Sequence, residues 1–148
     1  MKQEVAEKWV AALRSGEYQQ TQKRLCRAND AQGTLGFCCL GVLCDVFVKE
    51  NPTASQWKRW ANKNEVGFLL DNGRFVNETF AAPPTEVRDW AELNGNVGDC
   101  GHSEKLQIAF AARFKLGCDN YPSLANANDS GASFEQIADF IEQNWEEL

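Results

Sequence analysis

A chain of 148 residues, 43% hydrophobic and 11% aromatic, holds enough apolar material for one domain around one core, and no apolar run reaches the ~18 residues of a membrane span. The net charge of −6 is unevenly spread: residues 1–74 carry eleven Lys/Arg against eight Asp/Glu, and residues 75–148 carry four against thirteen. An acidic half repels phosphate backbones, which argues against general nucleic-acid binding. Six cysteines without an export signal read as reduced thiols in a cytoplasmic protein.

Residues 3–15 read as a first helix, with Val5, Trp9, Ala12 and Leu13 as its stripe and Gly16 as its stop. Residues 17–36 are polar, and a short strand pair is expected around Thr21–Cys26 and Thr34–Phe37. From Phe37 to about Glu50 the chain carries almost no polar face, which predicts a helix buried nearly all round, ended by Asn51-Pro52. Residues 53–65, with Trp57 and Trp60 among Lys58, Arg59 and Lys63, read as a short helix or an ordered loop.

Val66–Leu70, Asp71-Asn72-Gly73 and Arg74–Asn77 form a hairpin pattern, because Asn-Gly tolerates the positive φ of a tight turn. Pro83-Pro84 closes that strand, and Thr85–Leu93 is a short helix. Ser103 caps a helix running to about Leu116, with Gly117 beyond it. A helical turn is expected at Ser123–Asn128. Ser133 and Gln136 open the last helix as a capping box. Its apolar stripe is Phe134, Ile137, Ala138, Ile141 and Trp145, while Glu135, Asp139, Glu142, Glu146 and Glu147 are expected to face water with no base among them. The result is one α+β domain over residues 1–148, helix-rich, with a small antiparallel sheet around a buried central helix.

Three stretches, Lys8–Tyr18, Phe37–Asp45 and Ser123–Asp139, resemble a family of small proteins of tailed bacteriophages and prophages. The string Cys38-Cys39-Leu40-Gly41-Val42-Leu43-Cys44-Asp45 is its most specific part. The quoted residues cover roughly a quarter of the chain, and Ala127 stands where relatives usually carry Leu. The resemblance implies a phage origin and an accessory role in the host cytoplasm, and it transfers no catalytic residue.

The candidate chemistry is thin. Cys100, His102 and Cys118 are zinc-type ligands around a Gly-rich loop, but they lack an obvious fourth partner. Cys38 and Cys39 point about 100° apart on a helix. The single histidine has no thiol suitably placed for a Cys–His pair. Gly95, Gly98 and Gly101 lack the flanking strand and Lys of a phosphate loop. Ser123–Ile141 has the outline of a helix-turn-helix, yet its second helix is acidic and repels DNA. Asp45, the lone charge in the buried helix, reads as structural, on an exposed strip or paired with Arg14 or Arg24. Arg14, Tyr18, Lys23, Arg24 and Arg27 in one region, and Trp57, Lys58, Arg59, Trp60 and Lys63 in another, form a basic and aromatic group of binding type, and Asp139 and Glu142 an acidic face. No cofactor is called for. The expectation is a non-enzymatic protein that binds and modulates a host protein. The alternative is capture of an anionic nucleotide-type ligand in an Arg/Trp-lined pocket, and a zinc protein or hydrolase ranks last.

Overall fold

The structure is a computed structural model that describes residues 1–28, 34–59, 66–71, 73, 75–76, 82–115 and 121–148. For Arg59, Phe75 and Val76 it describes only the backbone. In chain order the elements are α1 (Gln3–Arg14), β1 (Gln19–Gln20), β2 (Cys26–Ala28), β3 (Leu35–Phe37), α2 (Cys39–Glu50), β4 (Ser55–Arg59), β5 (Val66–Leu70), β6 (Phe75–Val76), α3 (Thr85–Ala91), α4 (Glu104–Phe114), α5 (Leu124–Asp129) and α6 (Phe134–Asn144). A 3₁₀ turn, Trp145–Glu147, follows α6. This is the α+β domain that the patterning implies, with two three-stranded sheets instead of one.

The central helix is α2. Cys39, Leu40, Val42, Leu43 and Cys44 are fully buried, and Asp45 is the one break in the run. It starts at Cys39 rather than Phe37 because Cys38 is the N-cap, its Sγ accepting from the Gly41 N–H at 3.4 Å. Gly41 is fixed by close approach: a Cβ there would run into the Leu25 carbonyl. The Cys38 N–H donates to that same carbonyl at 3.1 Å.

α1 lies against α2 and α6. It buries Val5, Ala6, Trp9, Val10 and Leu13, a broader stripe than the pattern suggested. The Trp9 indole N–H donates to the Cys39 carbonyl at 2.9 Å inside the core, so the indole is satisfied without water. The first sheet has the order β1-β3-β2. Its β1–β3 pair is parallel and its β2–β3 pair antiparallel. The expected strand at Thr21–Cys26 is thereby split, with β1 before it and β2 at its end.

Residues 55–59 are a strand, not a helix or loop. β4 runs antiparallel to β5, with Trp57 opposite Phe68, and the alternation of Ser55 and Trp57 with the exposed Gln56 and Lys58 is the two-residue period of that pairing. β5 and β6 form the expected hairpin; Asn72, Arg74 and Asn77 lie outside the described residues. α4 ends at Lys115 in the left-handed region, and Leu116 and Gly117 are likewise outside. Serine N-caps open α4, α5 and α6, and the Ser133–Gln136 capping box is present. Among the described residues no helix is long and apolar enough to cross a membrane.

Candidate functional site

Asp45 joins the central helix to the second sheet. Its carboxylate accepts from the Tyr18 hydroxyl at 2.6 Å and from the Trp57 indole N–H at 2.9 Å, with the Lys49 ammonium at 3.3 Å. The expected exposed strip or arginine pair is not found: Asp45 is part-buried and held in a hydrogen-bond network by Tyr18, Trp57 and Lys49, while Arg14 is engaged on α6. Lys49 also donates to the Tyr18 hydroxyl at 2.8 Å. Burial, then the bond to Asp45, pushes the Tyr18 phenol up to about 12. Trp57 packs edge-on against Phe37 and Phe68. Its indole is therefore committed to the interior.

Arg14 went unused in the sequence-based account of the last helix. From the end of α1 it reaches α6 and bonds Glu135 at 3.2 Å, Asp139 at 2.7 Å and Glu142 at 3.0 Å. Bonds to Glu142 first, then Asp139, raise its already high pKa further. Arg113 of α4 reaches Asp139 at 2.5 Å from the other side, and Lys105 reaches Glu147 at 3.3 Å. The acidic face is thus not an unneutralised patch. The cations come from other elements, so a helix read by itself gave no sign of them.

Between α1 and α6 lies a groove of about 410 Å³, lined by Ala6, Glu7, Val10, Ala11, Arg14, Glu142 and Trp145. Its floor is apolar. Glu7 and Glu142 stand on its rim, with the Glu142 side chain 59% exposed although it touches Arg14.

A second cleft, of about 460 Å³, is lined by Gln20, Thr21, Gln22, Lys23, Arg27 and Gly131. Asn128, fully buried, holds two of its lining residues, Gln20 and Thr21. The Asn128 Oδ1 accepts from the Cys39 N–H at 3.2 Å and from the Gln20 Nε2 at 3.0 Å, and its Nδ2 donates to the Thr21 carbonyl at 2.9 Å. The neighbouring Asp129 Oδ1 accepts from the Lys23 N–H at 2.8 Å. These bonds hold Lys23 at φ 68°, in the left-handed region. The Asn128-Asp129-Ser130-Gly131 string is therefore a clamp that ties residues 20–23 to the start of α2.

The thiols are poor nucleophiles. Burial pushes Cys38 and Cys100 up to about 12 and Cys39 and Cys44 well above the ordinary thiol range. Cys38, Cys39, Cys44 and Cys100 are free, and all four are buried, as is Cys26. Of the zinc-type residues, the Cys100 Sγ lies 3.4 Å from the Gly98 carbonyl and the His102 Nε2 2.8 Å from the Glu147 carbonyl. Cys118 lies outside the described residues. No group of three or more potential metal ligands occurs among the described residues.

The basic and aromatic group does not assemble as one site among the described residues. Arg27 lines the polar cleft, Arg24 lies beside it in sequence, and Trp57 faces Asp45. Trp60 and Lys63 lie outside the described residues. Lys23, which carried no more weight in the sequence than its neighbours, lines the cleft with Arg27. Its signal exists only after Asp129 is brought to it, 106 residues along the chain.

Residues 1–145 match the family model of a domain of unknown function, DUF8296. The chain belongs to that family. No curated protein and no solved structure matches it. The DUF8296 match covers α1 through α6, and so takes in both the α1–α6 groove and the Asn128 clamp.

Proposed function

We propose that this DUF8296 protein is a bacteriophage accessory protein that acts in the host cytoplasm by binding, and that it modulates or inhibits a host protein. The observation that supports this reading is the α1–α6 groove. Its apolar floor of Ala6, Val10, Ala11 and Trp145 sits under two rim carboxylates, Glu7 and Glu142. Glu142 is already paired with Arg14, so Glu7 is the carboxylate that suits a Lys or Arg side chain of a partner, with the stem along the apolar residues. The acidic C-terminal half favours the encounter with a basic surface. The buried thiols and the absence of a nucleophile–base pair from the described site favour binding over covalent catalysis.

The test is capture of host proteins by the intact chain and by Ala11→Trp. Ala11 is exposed on α1 and lines the groove, so a bulky side chain there fills the groove while leaving the core untouched. The expected result is a specific partner, held by the wild type and lost with Ala11→Trp at unchanged melting temperature. Equal capture by both proteins removes the groove from the mechanism.

A further inference from the structure

We propose that the cleft lined by Thr21, Lys23 and Arg27 is a binding site for a small phosphate-bearing ligand of about mononucleotide size. The inference does not depend on the groove between α1 and α6, which lies on other residues. Its first support is charge. In a chain of net charge −6, the described residues that line this cleft include two cations, Lys23 and Arg27, and no carboxylate among them. The nearest acid in the clamp, Asp129, directs its Oδ1 at the Lys23 N–H and the Asn128 amide instead.

The second support is the way Lys23 is held. A non-glycine residue at φ 68° is uncommon, and here a buried asparagine and its neighbouring aspartate fix it in place. Lys23 is exposed, and its ammonium has no hydrogen-bond or ion-pair partner among the described residues. The backbone is thus pinned while the cation is left to a visitor. This is the preorganisation that binding sites use to limit the entropy lost on association.

The third support is Thr21. It lines the cleft and is 4% exposed, and its hydroxyl has no partner in the structure. Buried hydroxyls normally have one, and a phosphoryl oxygen is an acceptor for it. The exposed Gln22 borders the same space, and its amide oxygen can meet the polar groups of a sugar or base, while the Gln20 amide is held by Asn128, Ala132 and Phe134. A volume of about 460 Å³ falls in the range of small-ligand pockets.

The probes are nucleoside 5′-monophosphates, the matching unphosphorylated nucleosides and inorganic phosphate, titrated into the intact chain by calorimetry or NMR. The proposal expects saturable monophosphate binding, weaker competition by inorganic phosphate and no measurable binding of the nucleosides. Lys23→Gly removes the cation and relieves the left-handed strain, so it should melt no lower than wild type. Arg27→Gln is the companion. Each is expected to weaken monophosphate binding about tenfold or more, close to 1.4 kcal/mol, and Lys23→Arg is expected to keep most of it. The proposal is overturned if no monophosphate binds saturably, or if binding survives unchanged in both folded variants.

Discussion

Single residues in this protein do work that their neighbours in sequence do not announce. Asn128 is fully buried and satisfies the Cys39 N–H and the Thr21 carbonyl together. A hydrophobic residue of similar size would strand both groups, at about 1–3 kcal/mol each. The cysteines act in a simpler way, as small apolar residues. Their titration still has a consequence. The thiols ionise near 9.0 when exposed, whereas burial holds Cys38 and Cys100 at about 12 and Cys39 and Cys44 higher than the ordinary range. The folded state therefore keeps protons that the unfolded chain releases as pH rises. This contribution is fully present below pH 9.0 and is lost as pH climbs toward the folded values. Urea denaturation across pH 7–11 should show stability flat to about pH 8.5, then falling by up to about 1.4 kcal/mol per pH unit for each buried thiol. Stability that stays level to pH 11 would contradict the burial of these four side chains.

At the scale of elements, the helices were legible in the sequence and the strands much less so. Periodic apolar positions and serine caps are local signals, so α1, α2, α4 and α6 lie close to where the pattern puts them. β4 was missed because its alternation, Trp57 inward and Lys58 outward, spans only a few residues and becomes meaningful only beside β5. The candidate site was harder still. Lys23 and Arg27 were both read as basic candidates, but the way Lys23 is held depends on Asp129, and the acidic face of α6 changes meaning once Arg14 lies across it. Arg14 braces α1 on α6 through three carboxylates at partly exposed positions, and exposed ion pairs of this kind are individually weak. Replacing it by Met keeps the stem. The expected loss is about 1 kcal/mol at low ionic strength, shrinking as salt is raised to ~1 M, where the screening length falls to about 3 Å. A loss that does not respond to salt would assign the role of Arg14 to packing rather than charge.

In the whole molecule the two ends of the chain share one core. A continuous set of buried residues runs from Val5 to Leu148. α1 rests on α6, the Lys2 N–H donates to the Ala91 carbonyl, and the Met1 amino group donates to the Leu148 carbonyl at 2.9 Å. The clamp at Asn128 also spans most of the chain, joining residues 20 and 21 to α5. No half of the chain therefore closes a core by itself, although β4–β6 pair mainly with one another. Two forces compete in that segment. Its strand pairing is local, which favours independent opening, while Trp57 and Phe68 pack into the aromatic cluster with Phe37 and Phe47, which ties it to α2. The Asp45 bonds to Tyr18 and Trp57 reinforce that tie across three parts of the chain. The second force is the larger, since opening the segment would expose those rings and leave a part-buried carboxylate without the Trp57 donor. Unfolding in urea is accordingly expected to be a single transition, with tryptophan fluorescence and far-ultraviolet circular dichroism giving the same midpoint. Asp45→Leu should separate the two curves, with the fluorescence change moving to lower urea as Trp57 loses its anchor. Coincident curves in that variant would mean that ring packing alone keeps the second sheet in the cooperative unit.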